Sequence, residues 1–293
     1  MAKKKKKNAA EKRRERDEQR GKRIAAAQEN KVQKEKDRQE QKTKAAYVPI
    51  RIPEIDRTPA AQIKEIVPDA PITIVVQALS PLHLGAGRAD IHVDADIVQD
   101  DVGLPYFPAK RLKGLLYESG LEVTEMAEAS GLTLFDRAAL DVLFQRGRTG
   151  DVQLVLRNLY MEHYEELHAD FQYLAAKYPS VFRAADILDT YASLRWQTMI
   201  ERETGVAKAT SLHNMRVIEK GMLFSGEMQV IGADMAHLKM LALAARNLSQ
   251  SGGKRTRGFG RIGCTLRQGH KDILVPLVAH ALTGKGGKYE CRR

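Results

Sequence analysis

Strand-like and helix-like runs alternate along the middle of the chain, and their order restricts the fold more than any other sequence feature. The run ITIVVQAL is rich in β-branched residues, as strands favour. Leu112, Leu115 and Leu116 fall on one face of a run that starts at Pro108, which predicts a helix. In chain order the predicted elements are a strand at 72–79, a helix from 108, strands at 152–160 and 222–232, a helix at 237–248 and a strand at 258–267.

This β-α-β…β-α-β order predicts an α+β fold of the ferredoxin-like (RRM-like) kind, which we call the palm. Residues 161–195 are predicted to be a helical insertion. Residues 196–221 are polar and turn-rich, and we expect them to form a protruding β-hairpin, the thumb. The palm with its insertion and thumb is predicted to span 72–270, and 271–293 form a C-terminal segment.

The positive charge of the chain is concentrated in a basic N-terminal extension. Residues 1–44 hold 18 Lys and Arg against 8 Asp and Glu, whereas the remaining chain holds 30 against 29. With almost no large apolar residues, this extension is predicted to be disordered or a fraying helix that binds RNA or an acidic partner in a salt-sensitive way. A proline-punctuated linker is predicted at 45–71.

Several classes of protein are excluded by composition. No window is long and apolar enough to span a membrane, and no apolar region follows the N-terminal lysines as in a signal peptide. Two cysteines, Cys264 and Cys291, suit neither a disulfide framework nor a zinc site. We therefore expect a cytoplasmic protein without a membrane partner.

The segment GGKRTRGFGR combines glycines, cations and one aromatic residue. Leu248 stands where a phosphate loop would need its first glycine, and neither Ser nor Thr follows Lys254, so the segment is not a phosphate loop. Glycines allow close approach of a backbone, and arginines bind phosphate, which favours RNA; the alternative is a solvated basic turn. The candidate RNA-binding residues are Gly252, Gly253, Lys254, Arg255, Arg257, Gly258, Phe259, Gly260 and Arg261. Phe259 could stack on a base or belong to the core, and the core is slightly favoured.

Four segments in register resemble the RAMP superfamily of CRISPR-associated proteins, and more narrowly the repeated backbone subunit of type III effector complexes. They are LSPLHLGAGR, VDADIVQDDVGLPYFPAKRLKG, IERETGVAKATSLHNMRVIEKGMLFSGEM and GGKRTRGFGR, within residues 72–267. The chain departs from the family in one place. A glycine-serine step after proline is replaced here by Ala109, Lys110 and Arg111, so the helix begins with two cations.

The resemblance implies a subunit that stacks along a guide crRNA, with other effector subunits or copies of itself. In such complexes each thumb displaces a base, and a loop aspartate with a divalent metal cuts the target RNA beside it. Asp94 matches that aspartate and would be both catalytic and the metal ligand. Asp96 could share the metal or be the catalytic residue instead, and the alternative for both is an Asx turn in a polar loop. The cofactor implied is Mg²⁺ or another divalent cation, bound together with target RNA.

Further roles follow from the same resemblance. His83 matches a position that contacts RNA and supports cleavage; the alternative is a histidine at a strand end that is either satisfied by the backbone or exposed. Lys110, Arg111 and Lys113 would clamp phosphates, or else form a solvated helix face. Met215 in the hairpin would wedge between bases, or else pack against Trp196 or the neighbouring subunit. Asp90, Asp100 and Asp101 are expected to form turns.

Alternative functions remain open. One is a capping or guide-holding subunit of the same complex that never cuts. Another is a metal-independent guide-processing nuclease, although no suitable pair of histidine and tyrosine is evident. A third is a general RRM-like RNA-binding protein. A zinc site formed by the two histidines of HYEELH is not expected, because five-residue spacing does not place them on one helix face.

Overall fold

A computed structural model describes residues 60–87, 93–132, 134–147 and 150–283. The basic extension, most of the linker, Asp90, Cys291 and the end of the C-terminal segment lie outside the described residues. Everything described belongs to one compact unit, 52–293.

Strand β1 (Ile72–Ala78) lies at the centre of the larger sheet, and its alternate residues, from Ile72 to Ala78, are buried in the core. It pairs antiparallel with β6 (Leu223–Ile231) on one side and with β7 (Ile262–Gln268) on the other. The outer strands are β2 (Gln153–Leu156) and the short β3 (Tyr160–Met161), both on β6, and β8 (Lys271–Asp272) on β7. The sheet order is β2-β6-β1-β7-β8, entirely antiparallel.

The main helices are α1 (Ala109–Ala129), α2 (Arg137–Phe144), α5 (Met235–Asn247) and α6 (Leu274–Thr283). Helix α1 packs on α5, where the Ser119 hydroxyl donates to the Ala244 carbonyl at 2.8 Å. Leu112 and Leu116 of α1 and Leu241 of α5 are fully buried in the core. Burying each such leucine contributes about 1.5–3 kcal/mol. The predicted mixture of helices with an antiparallel sheet is confirmed.

The segment predicted to be a helical insertion contains α3 (Tyr164–Lys177) and α4 (Ala184–Tyr191). It is followed by a two-stranded sheet of β4 (Ala192–Gln197) and β5 (His213–Ile218), paired antiparallel. The hairpin thus begins at Ala192, four residues before the predicted boundary. Pairing with β5, which the local sequence does not reveal, converts the end of a helix-compatible stretch into a strand.

Helices long and apolar enough to cross a membrane are absent from the part of the chain that the structure describes.

Candidate nucleic-acid interface

The glycine-rich segment forms a loop between α5 and β7 whose base is closed by backbone hydrogen bonds. Ser251 N–H donates to the Gly260 carbonyl at 2.8 Å, and Gly260 N–H donates to the Pro81 carbonyl at 2.8 Å. Gly253 N–H donates to the His83 carbonyl at 3.1 Å. The loop is therefore fixed onto the segment that follows β1, where the predicted His83 lies.

Two glycines are required by this packing. Gly252 has φ of +81°, and a Cβ there would lie 2.4 Å from the His83 carbonyl oxygen. Gly260 has φ of +77°, and a Cβ there would lie 2.0 Å from the Ser251 carbonyl oxygen. Only glycine fits such contacts, so these two residues allow the loop backbone to pack closely against neighbouring backbone of the protein. Gly258, by contrast, faces open space.

The loop cations divide into two groups. Arg255, Arg257 and Arg261 are exposed and thus accessible to phosphate. Lys254 is half-buried, and its Nζ contacts Gln197 Oε1 and lies 3.1 Å from His213 Nε2. Burial, followed by the charge of Arg257, lowers the pKa of Lys254. Lys254 therefore links the loop to the β4–β5 hairpin, while the three arginines remain free to face a ligand. Phe259 is half-buried.

His83 lies between the loop and the hairpin. Its Nδ1 is 2.8 Å from the carbonyl oxygen of Arg216 in β5, which requires the proton on Nδ1. A Cβ at Gly85 would lie 2.9 Å from His83 Nε2, and one at Gly253 would lie 3.2 Å from Cδ2. The ring thus lies against two glycines, and its orientation is fixed by a backbone acceptor.

Asp94 is exposed and held by a reciprocal pair of hydrogen bonds. Its Oδ2 accepts from Asn214 N–H at 2.8 Å, and its own N–H donates to Asn214 Oδ1 at 2.8 Å. A carboxylate in this position is fixed relative to β5 and remains accessible from solvent. These properties favour Asp94 as the carboxylate available to a metal ion.

Asp96 lies in a different environment, although it is only two residues away. It is 5% exposed, and its Oδ1 accepts from Ile97 N–H at 2.8 Å and from Arg216 Nη1 at 3.0 Å. Arg216 Nη2 pairs in turn with Asp189 of α4 at 3.0 Å. The carboxylate of Asp96 is therefore engaged in a buried ion pair, which favours a structural role.

The cations at the start of α1 are partly engaged by the protein. Arg111 Nη2 donates to the Gly85 carbonyl at 2.8 Å, and Lys113 Nζ donates to the Leu154 carbonyl at 2.9 Å. Burial lowers the pKa of both side chains. Lys110 is exposed. Of the three predicted phosphate clamps, Lys110 is thus the most accessible.

Met215 is 1% exposed, and Gln197 Nε2 donates to its sulfur at 3.3 Å. This burial fits packing of the hairpin better than insertion between bases. The exposed large apolar residues of the hairpin are Leu194, Trp196, Met199, Ile200, Val206 and Leu212. Sequence reasoning missed them, although apolar residues scattered through a polar, turn-rich stretch were a usable signal.

Strand β5 joins the parts of this site through four consecutive residues. His213 meets Lys254, Asn214 holds Asp94, and Met215 forms a bridge with Ala95. Arg216 binds Asp96 with its side chain and His83 with its carbonyl. Of these four β5 residues, only Met215 was predicted as a site residue.

Comparison of the sequence with family models identifies one family, and solved structures of similar fold are also found. The sequence model of the RAMP superfamily matches residues 75–263. A chain from a cryo-EM structure of type III-B Cmr-beta in the apo state is similar, with a TM-score of 0.50 and 11% identity over 69% of this chain and 99% of that one. A chain of type III-B Cmr-beta bound to cognate target RNA has a TM-score of 0.49 and 11% identity over 68% and 98%. No curated protein matches significantly.

Proposed function

The chain belongs to the RAMP superfamily, and from this premise we propose that it is a subunit of a type III CRISPR ribonucleoprotein that binds guide crRNA and cuts complementary target RNA. We interpret the strand order β2-β6-β1-β7, with α1 and α5 as connections, as a ferredoxin-like palm. The β4–β5 hairpin is then the thumb.

The observation that carries the proposal is the position of Asp94, which two hydrogen bonds fix against Asn214 of β5. The same strand also contacts Lys254 of the basic loop and His83. The Asp94 carboxylate is therefore held by the strand that contacts two RNA-binding candidates. Arg255, Arg257 and Arg261, with Lys110, would hold phosphates of the RNA backbone.

Asp94 fits a divalent cation of the Mg²⁺ class. Mg²⁺ is commonly held by one or two carboxylates, with substrate phosphates and water completing its shell, and Asp94 offers one exposed carboxylate. When bound, the ion would neutralise charge on the scissile phosphate. The protein contributes the fixed carboxylate, and the thumb would splay the RNA.

The reaction is then an in-line displacement within the RNA. The 2′-oxygen of the displaced nucleotide forms a bond to the adjacent phosphorus and gives its proton to water. The bond from phosphorus to the 5′-oxygen breaks, and the 5′-oxygen takes a proton from water, so the products are a 2′,3′-cyclic phosphate and a 5′-hydroxyl. Splaying the nucleotide aligns these atoms, so positioning supplies much of the rate.

Cleavage assays with the co-expressed complex and its guide test the proposal. Wild-type complex should give regularly spaced target fragments with Mg²⁺ and none with EDTA, and Asp94→Asn should lose cutting while retaining guide RNA. Asp170→Asn is the matched control, because Asp170 is an exposed aspartate on α3 away from β5. Stable target binding without Mg²⁺-dependent fragments would instead assign a guide-holding or capping role.

A further inference from the structure

Three side chains outside the Asp94 site converge from two distant parts of the chain. Asp100 and Asp101 lie in the loop after β1, and His168 lies on α3. His168 Nε2 is 3.0 Å from Asp101 Oδ1 and 4.0 Å from Asp100 Oδ2. All three candidate ligand atoms lie within 4.8 Å of one another.

Asp100 is held in a fixed orientation by the backbone of its own loop. Its Oδ1 accepts three backbone N–H groups, from Val102, Gly103 and Leu104, at 2.8–3.1 Å. This confirms Asp100 as a turn former. Its Oδ2 is buried, the carboxylate lies within hydrogen-bonding reach of the Tyr164 hydroxyl, and the side chain is only 11% exposed. A cation at this point would pair with the largely buried carboxylate, as a buried charge requires.

We propose that His168 Nε2, Asp100 Oδ2 and Asp101 Oδ1 bind a divalent transition-metal ion of the Zn²⁺ class. Zinc bonds to imidazole nitrogen and carboxylate oxygen are about 2.0–2.2 Å, so two ligands of one ion lie about 3–4 Å apart. The two distances from His168 match this separation. An imidazole with two carboxylates suits zinc better than Mg²⁺, which prefers oxygen ligands alone.

The ion would tie the helical insertion to the palm. Helix α3 contains no fully buried residue and rests on partly buried side chains such as Tyr164, which stacks on Tyr160 with ring centroids 4.0 Å apart. Tyr164 lies beside Asp100, and burial together with that carboxylate raises the pKa of its phenol. The site is independent of the proposed RNA cleavage, because none of its ligands contacts Asp94 or β5 in the described structure.

The competing arrangement is a plain ion pair between protonated His168 and Asp101, with no metal. That pair already lowers the pKa of Asp101 through its hydrogen bond to His168. The two arrangements differ in one measurable property, which is zinc affinity.

Calorimetric titration of the EDTA-stripped full-length chain with ZnCl₂ distinguishes them. We expect one zinc ion per chain, with affinity lowered by at least about 100-fold in His168→Gln and in Asp101→Asn, since outer-shell partners alone are worth 10–100-fold. Excess Mg²⁺ should not displace the ion. Asp101 is 72% exposed, so Asp101→Asn should fold even if His168→Gln does not.

Two control variants isolate the site. His163→Gln removes an exposed histidine just before α3, and Asp94→Asn removes the carboxylate of the proposed cleavage site; both should bind zinc as tightly as wild type. Absence of zinc binding by the wild type, or equal affinity in wild type and Asp101→Asn, would overturn the metal site and leave the ion pair.

Discussion

Asp94 and Asp96 are the same residue type in the same loop, yet their surroundings differ sharply. Asp94 is exposed and accepts one backbone N–H, whereas Asp96 is buried against Arg216. Arg216 lies 120 positions further along the chain, so the local sequence around the two aspartates cannot distinguish them. The difference is set by tertiary packing alone.

This contrast predicts different stabilities for two matched variants. Asp96→Asn removes the charge opposite a buried guanidinium and should lower the free energy of unfolding by about 3 kcal/mol. Asp94→Asn keeps an oxygen that can accept from Asn214 N–H, so its effect should stay within about 1 kcal/mol. Urea denaturation of the full-length chain measures both. Equal losses in the two variants would contradict the structural role of Asp96.

At the scale of elements, the glycine-rich loop depends on its closed base. Gly260→Ala would place a Cβ 2.0 Å from the Ser251 carbonyl oxygen, which forces the loop off the segment around Pro81 and His83. Gly258→Ala is the control, because its φ of +81° imposes similar backbone strain but a Cβ there would meet no atom within 4 Å. Backbone strain of this kind costs about 1–2 kcal/mol.

We therefore expect Gly260→Ala to lower both guide RNA affinity and the free energy of unfolding much more than Gly258→Ala does. Filter binding with labelled guide RNA and urea denaturation provide the two readouts. If Gly258→Ala weakens RNA binding as strongly as Gly260→Ala, the packing of the loop base does not control the RNA-binding surface.

The elements themselves were predictable where periodicity is strong. Helix α1 begins one residue after Pro108, and α5 begins two residues before its predicted start, because apolar spacing encodes a buried helix face. The predicted strand at 152–160 is divided into β2 and β3, and between them Asn158 Oδ1 accepts from Ala109 N–H at the start of α1. That bond joins residues 49 positions apart, which local patterns do not report.

The candidate site was predictable only in part for the same reason. Glycines, arginines and Asp94 could be selected by residue type and resemblance. Asn214 and Arg216 could not, since their importance arises from hydrogen bonds to a loop 120 residues earlier. Met215 shows the opposite case: the sequence suggested a residue that inserts between bases, but its side chain is buried.

At the scale of the whole molecule, charge separates the chain into a basic extension and a nearly neutral remainder. The excess of ten positive charges in residues 1–44 contrasts with 30 basic against 29 acidic residues elsewhere. Sequence-independent RNA affinity grows with the number of phosphates neutralised. The extension should therefore supply most of the salt-dependent affinity, whereas the exposed arginines of the glycine-rich loop supply a local patch.

Deleting residues 1–44 should weaken RNA binding and flatten its dependence on salt. Each phosphate that the protein no longer neutralises reduces the slope of log affinity against log salt by about 0.7 for single-stranded RNA. A variant of full length, with ten of the extension's Lys and Arg residues changed to Gln, is the matched control, because it removes charge without shortening the chain. Both variants should unfold at the same urea concentration as wild type and show the same reduced slope. If deletion leaves the slope unchanged, the extension does not bind RNA. If deletion reduces the slope but the Gln variant does not, the effect comes from chain length, which would contradict the electrostatic argument.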